Sequence, residues 1–234
     1  MTTEKLSAVV IDATSLHTAT VIWLHGLGDS GIGWLFLTEE LGPKFPHIKW
    51  ILPNAPLKAM SAFGSGAMVN AWFTINSFEK TAHLEKIDEE GMMNSVDAVD
   101  QLIREEIKTG IPCERIILGG FSQGCVISLL SAVSTSHKLA GVVACSGWLA
   151  LGEKLETFGS EMNKQIPILM CHGEKDLVVS YRFGRATAKY LKKKNYNIDF
   201  INYPELEHAT EPQEILDIAK FIQIQLPFIL SGKL

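Results

Sequence analysis

Arg115-Ile116-Ile117-Leu118-Gly119-Gly120-Phe121-Ser122-Gln123-Gly124-Cys125 is the stretch on which the fold turns. A β-branched apolar run drives into Gly-x-Ser-x-Gly, and a second apolar stretch, Cys125 to Val133, follows at once with helical length. This is the context of a nucleophile elbow, where a serine sits on a strained strand-to-helix turn and flanking glycines leave room for neighbouring backbone. Outside such a context the pentapeptide would be no more than a glycine-rich turn. The charge-free run between Arg115 and His137 has the length of a membrane span. Its glycines split it, so it reads instead as strand, tight turn and buried helix.

The same alternation extends in both directions. Short β-branched runs recur at Thr20 to Leu24, Trp50 to Leu52, Arg115 to Leu118, Ala140 to Ala144, Pro167 to Cys171 and Asn197 to Tyr203. Most are continuously apolar, the pattern of strands buried on both faces of a parallel sheet. Between them, Met92, Val96, Val99, Ile103 and Ile107 share one helical face, with Gly110 and Pro112 as the stop. Thr210-Glu211-Pro212-Gln213 has capping-box spacing, and Ile215, Ile218, Ala219, Ile222 and Leu226 follow on one face. Lys192-Lys193-Lys194 falls in the last turn of a helix opened by Ser180, where the helix dipole accounts for it. Strands alternating with helices predict a doubly wound α/β fold with a mostly parallel sheet covered on both faces. No repeat or linker breaks the chain, so one domain over 1–234 is expected.

Composition agrees with a globular protein. The 234 residues are 47% hydrophobic, 9% aromatic and 20% charged, ample for a buried core. Lys+Arg 21 against Asp+Glu 26 gives a net charge of -5, the wrong sign for nucleic acid as a partner. Residues 1–30 contain no basic start with an apolar core and cleavage site, and Met1-Thr2-Thr3 lacks a myristoylation glycine. A protein with no transmembrane segment, residing in the cytoplasm with the nucleus as a further location, is expected. Cys113, Cys125, Cys145 and Cys171 contain no Cys-x-x-Cys pair and read as reduced core thiols rather than a disulfide or zinc framework. No metal or cofactor is expected.

A serine hydroxyl needs a base and an orienting acid, which follow the elbow in the order acid then histidine. Strand Pro167 to Cys171 runs into His172-Gly173-Glu174-Lys175-Asp176, and strand Asn197 to Tyr203 runs into Pro204-Glu205-Leu206-Glu207-His208. Asp176 and His208 therefore lie beyond carboxyl ends of strands, where open α/β sheets gather their ligands. Glu174 is the rival to Asp176, and Asp199 lies behind it inside a strand. His172 reads as structural, and His17, His47, His83 and His137 as surface or hydrogen-bonded residues. For the oxyanion, the amide of Gln123 follows the nucleophile, and Leu27 in Leu24-His25-Gly26-Leu27-Gly28 supplies a second donor after an earlier strand.

Gly26-Leu27-Gly28-Asp29-Ser30-Gly31 also matches the dinucleotide-binding fingerprint of an oxidoreductase. That reading requires an acid at the end of the next strand, where Pro53-Asn54 stands instead, and it leaves the Ser122, Asp176, His208 order as coincidence. A non-catalytic binding module on a hydrolase scaffold would typically lose a triad member, and candidates for all three are present.

Together these stretches resemble the acyl-protein thioesterase and lysophospholipase family of small α/β-hydrolases, from about Thr20 to about Leu226. The resemblance is carried by Leu24-His25-Gly26-Leu27-Gly28-Asp29-Ser30-Gly31, Pro53-Asn54-Ala55-Pro56, Ala71-Trp72-Phe73, Ile116 to Gly124, Leu139-Ala140-Gly141, and His172-Gly173 with Asp176. It implies an α/β-hydrolase fold without a large cap domain, Ser122, Asp176 and His208 as the triad, and Leu27 and Gln123 as oxyanion donors. The implied substrates are fatty-acyl thioesters on proteins, or lysophospholipids. Thr74, Ile32 and Ala209 depart from the family pattern, and no cysteine precedes Cys113 as an N-terminal acylation site. Membrane visits would then rest on substrate contact.

Two segments without clear periodicity, Pro53 to Lys80 and Gly147 to Gln165, bear on substrate choice. Leu57, Met60, Phe63, Met68, Trp72 and Phe73 crowd the first, while Trp148, Leu149, Leu151 and Phe158 crowd the second. Beside the strand ends they would line an acyl groove worth about 0.8 kcal/mol per buried CH₂. Preference for a short acyl chain would point instead to a short-chain carboxylesterase.

Overall fold

Strand β2 (Ala19–Leu24) is buried along its whole length, and its alternating side chains divide the molecule into two cores. Ile22 and Leu24 face one side, Val21 and Trp23 the other. The computed structural model describes residues 5–63, 66–75 and 87–229, with the side chain of Phe63 excluded. Around β2 the sheet runs β1 (Ala8–Ile11), β3 (Ile48–Pro53), β2, β6 (Ile116–Phe121), β7 (Gly141–Cys145), β8 (Ile168–Gly173) and β9 (Ile198–Tyr203). Only the β1–β3 pair is antiparallel, with Ala8 opposite Pro53; the other pairs are parallel.

Helices cover both faces, as the burial of both sides requires. One core receives α2 (Glu89–Lys108), through Met92, Val96, Val99 and Ile103, and α3 (Gln123–Ser134), through Val126, Leu129, Leu130 and Val133. Ala188 and Leu191 of α5 (Tyr181–Lys193) join them. The other core receives Leu37 and Leu41 of α1 (Leu35–Leu41) and Ile215, Ile218 and Ile222 of α6 (Pro212–Gln225). A short α4 (Leu155–Phe158) lies within the second irregular segment.

The fold agrees with expectation except in three local features. The segment after Pro53 carries a two-stranded antiparallel ribbon, β4 (Leu57–Met60) and β5 (Ala67–Asn70), with Leu57 opposite Asn70. Strand β1, too short and too exposed to register as an apolar run, closes one edge. The capping box at Thr210 does not form: α6 begins at Pro212 with extended Glu211 as its N-cap, and no side chain caps it. Pro212 lacks an N–H and suits the first helical position, so the helix starts there and Glu211, not Thr210, becomes the N-cap. Among the described residues no helix is long and apolar enough to cross a membrane.

Candidate active site

Ser122 occupies the one-residue junction between β6 and α3, at φ 55 and ψ −117. A side chain rarely adopts this left-handed backbone, and the strain is sustained because both neighbours are locked. The Ser122 amide donates to Cys145 O at 2.9 Å, and Ser122 O accepts from Val126 N at 3.2 Å. Gly124 lets α3 start hard against β2, since a Cβ there would lie 2.1 Å from Leu24 O. The serine hydroxyl consequently stands at the carboxyl edge of the sheet.

Asp176 and His208, the candidate acid and base, follow the two strands expected. Asp176 lies in the loop after β8, and its Oδ1 accepts the amides of Val178 at 2.9 Å and Val179 at 2.8 Å. Its Oδ2 accepts His208 Nδ1–H at 2.7 Å, and His208 Nε2 faces Ser122 Oγ at 3.0 Å. An ionised carboxylate can only accept, so Nδ1 carries the ring proton and Nε2 is the free base toward serine. Phe121 packs on the imidazole, with ring centroids 4.7 Å apart. Burial works against the Asp176 charge, but hydrogen bonds from His172 and His208 outweigh it and hold the carboxyl below the usual carboxylate range. Glu174 is exposed and bonds Asn202, and Asp199 is exposed along β9, so neither rival reaches His208. His172 is fully buried, with Nε2 2.9 Å from Val179 O and 3.4 Å from Asp176 Oδ2. It braces the acid's loop.

The turn carrying Leu27 lies against the nucleophile: a Cβ on Gly26 would stand 3.3 Å from Ser122 Cβ. Several residues that sequence reasoning missed hold this turn. His25 is buried, its Nδ1 2.6 Å from Gly26 O and its Nε2 accepting Ala55 N–H at 3.0 Å. Burial lowers its pKa, which suits the neutral ring this pattern demands. Gly28 N–H donates to Asn70 O at 2.8 Å, and Asn70 Nδ2 donates to Asp29 O at 2.9 Å. The side chain of Gln123 accepts Trp72 N–H and donates to Phe73 O, both at 3.0 Å. Asn54, where a dinucleotide site would need an acid, accepts Gly31 N–H at 2.8 Å and so braces the glycine turn.

The expected acyl-groove residues separate into two groups. Leu57 and Met68 stand on the ribbon, 63% and 59% exposed, and Trp148 is partly exposed beside Phe183, ring centroids 6.4 Å apart. Met60, Trp72, Phe73 and Leu149 are buried. They belong to the core beneath the surface, because a loop's apolar composition does not say which side chains fold inward. Trp72 even anchors the turn, donating from Nε1 to His25 O at 2.8 Å. Phe63, as a side chain, and His83 lie outside the described residues. Leu177, 95% exposed, and Val178, 66% exposed, follow the acid directly and add apolar surface that sequence reasoning overlooked. Thr74 bonds Asp88, the N-cap of α2, through both its amide and its hydroxyl.

The sequence pattern of the Phospholipase/Carboxylesterase family matches residues 6–226. The chain belongs to this family. It is a serine hydrolase of the α/β-hydrolase type, without a large cap domain. It is 43% identical to acyl-protein thioesterase 1 of Cryptococcus neoformans over 93% of this chain and 97% of that one. A second relative of the same name, from Schizosaccharomyces pombe, is also 43% identical and covers 94% of this chain and 97% of its own. The crystal structure of acyl-protein thioesterase 2 from Zea mays superposes with a TM-score of 0.82 at 34% identity, covering 94% of this chain and 99% of that one.

Proposed function

We propose that this member of the family hydrolyses fatty-acyl thioesters on S-acylated protein cysteines, and lysophospholipid or carboxyl esters in addition. The observation that carries the proposal is the unbroken relay from Ser122 Oγ through His208 to Asp176. His208 Nε2 takes the serine proton as Oγ attacks the acyl carbonyl, and Asp176 steadies the imidazolium that forms. The Leu27 and Gln123 amides hold the oxyanion. Collapse expels the cysteine thiolate, which leaves with the proton from His208, and the acyl group stays on Ser122. Water activated by the same histidine then releases the fatty acid.

The exposed apolar residues Leu57, Met68, Leu177 and Val178, with the partly exposed Trp148, support a long acyl chain as the preferred donor, each buried CH₂ contributing about 0.8 kcal/mol. The names of the relatives support a protein thioester as the natural substrate. A cytoplasmic setting, with membrane contact through the substrate, belongs to the same proposal. The test is release of free thiol from an S-palmitoylated peptide, with acetyl, octanoyl and palmitoyl thioesters compared below micelle-forming concentration. We expect kcat/KM to rise with chain length. A maximum at acetyl would identify a short-chain carboxylesterase instead.

A further inference from the structure

One buried group of reactive side chains plays no part in the relay. Cys145 and Cys171 are direct partners in the parallel register of β7 and β8, so both thiols project from the same face of the sheet. That face is covered by α6. Glu214, in the first turn of α6, is fully buried there. Cys145 Sγ, Cys171 Sγ and a Glu214 carboxylate oxygen all lie within 4.8 Å of one another. Neither Glu214 oxygen receives an N–H or O–H donor among the described residues. A carboxyl group buried without a donor is costly unless something else satisfies it. Tyr203 Oη, at the edge of the cluster, donates to Asp217 Oδ2 at 3.1 Å and lies 3.5 Å from Cys171 Sγ.

We propose that Cys145, Cys171 and Glu214, with both Glu214 carboxylate oxygens as donors, form a structural zinc site that fastens α6 to the carboxyl ends of β7 and β8. Two sulfurs and two oxygens suit zinc, whereas calcium and magnesium take oxygen alone. With Zn–S about 2.3 Å and Zn–O about 2.1 Å, tetrahedral ligand atoms stand about 3.4–3.8 Å apart, so the trio needs only a slight contraction. Binding displaces one proton from each thiol and one from the carboxyl group. The remaining negative charge lies at the positive end of the α6 dipole. No spacing rule could reveal this set, because its members come from three elements.

The site is closed, so its role is to hold structure. Cys145 O receives the Ser122 amide, and α6 starts four residues after His208, so the clamp lies directly beneath the relay. The test uses the full chain, produced under reducing conditions in zinc-supplemented medium and separately in cobalt-supplemented medium. We expect about one zinc per chain, retained through dialysis against EDTA and released on unfolding, and a thiolate-to-cobalt charge-transfer band in the folded cobalt form. Cys145→Ser, Cys171→Ser and Glu214→Gln should each lose the metal or weaken its hold, while Cys113→Ser keeps it. A folded, ester-hydrolysing wild type without zinc and without the cobalt band would overturn the proposal. So would a band that survives the double change of Cys145 and Cys171 to Ser, or a Cys145–Cys171 disulfide in the reduced preparation.

Discussion

Each member of the proposed relay has one task. Ser122→Ala should leave the elbow folded while removing the nucleophile, lowering kcat by about 10⁶, as removal of such a serine does elsewhere. Asp176→Asn should cost about 10⁴, because His208 then loses the acceptor that fixes its tautomer. Glu174→Gln should leave turnover close to wild type, and steady-state kinetics of the two variants side by side distinguishes the acids. Asp176 also contributes to stability. Its folded-state carboxyl lies below the unfolded value of about 3.9, so its contribution is complete above that pH and is lost as pH falls through the folded value. Denaturant unfolding of wild type and Asp176→Asn between about pH 5 and pH 2 should therefore give a stability gap that closes toward acid. The convergence of Ser122, Asp176 and His208 was legible in sequence because each follows a strand's end, in the order a relay of this kind needs. His25, Asn70 and the Gln123 side chain were not, because their work is hydrogen bonding to backbone that only the fold brings near.

At the scale of elements, β6, the elbow and α3 are joined by contact too close for any side chain. Gly124→Ala would drive a methyl against Leu24 O and His25 O, both backbone. A loss of about 1–3 kcal/mol or more is expected, seen as a melting temperature lower by about 2–4 °C per kcal/mol. The irregular segments supply a second contrast. Trp72 is core, so Trp72→Ala should destabilise by about 3–5 kcal/mol. Trp148 is partly exposed and packs on the edge of the core, so Trp148→Ala should lower the melting temperature less than Trp72→Ala does and should flatten the dependence of kcat/KM on acyl length. The buried parallel strands were readable from their continuous apolar runs. The ribbon β4–β5 and the edge strand β1 were not, since short, half-exposed strands leave no unbroken run. The Thr210 capping box failed because matching spacing cannot say where Pro212 starts the helix.

At the scale of the whole molecule, strands from residues 8 to 203 enter one sheet, and helices from both halves of the chain close its two cores. We propose that 1–234 is one cooperative unit, and calorimetry should record a single transition with probes in both cores melting together. The fold brings the carboxyl ends of β6, β8 and β9 to one edge, where Ser122, Asp176 and His208 meet. The central claim is that an acyl group passes through Ser122, and the most direct measurement is to trap it there. The chain is mixed with an S-palmitoylated peptide, quenched in acid within the first turnover, digested and mapped by mass. The account predicts a palmitoyl adduct on Ser122, absent from Ser122→Ala; an adduct on a cysteine or another serine, or turnover with no adduct on any residue, would contradict it.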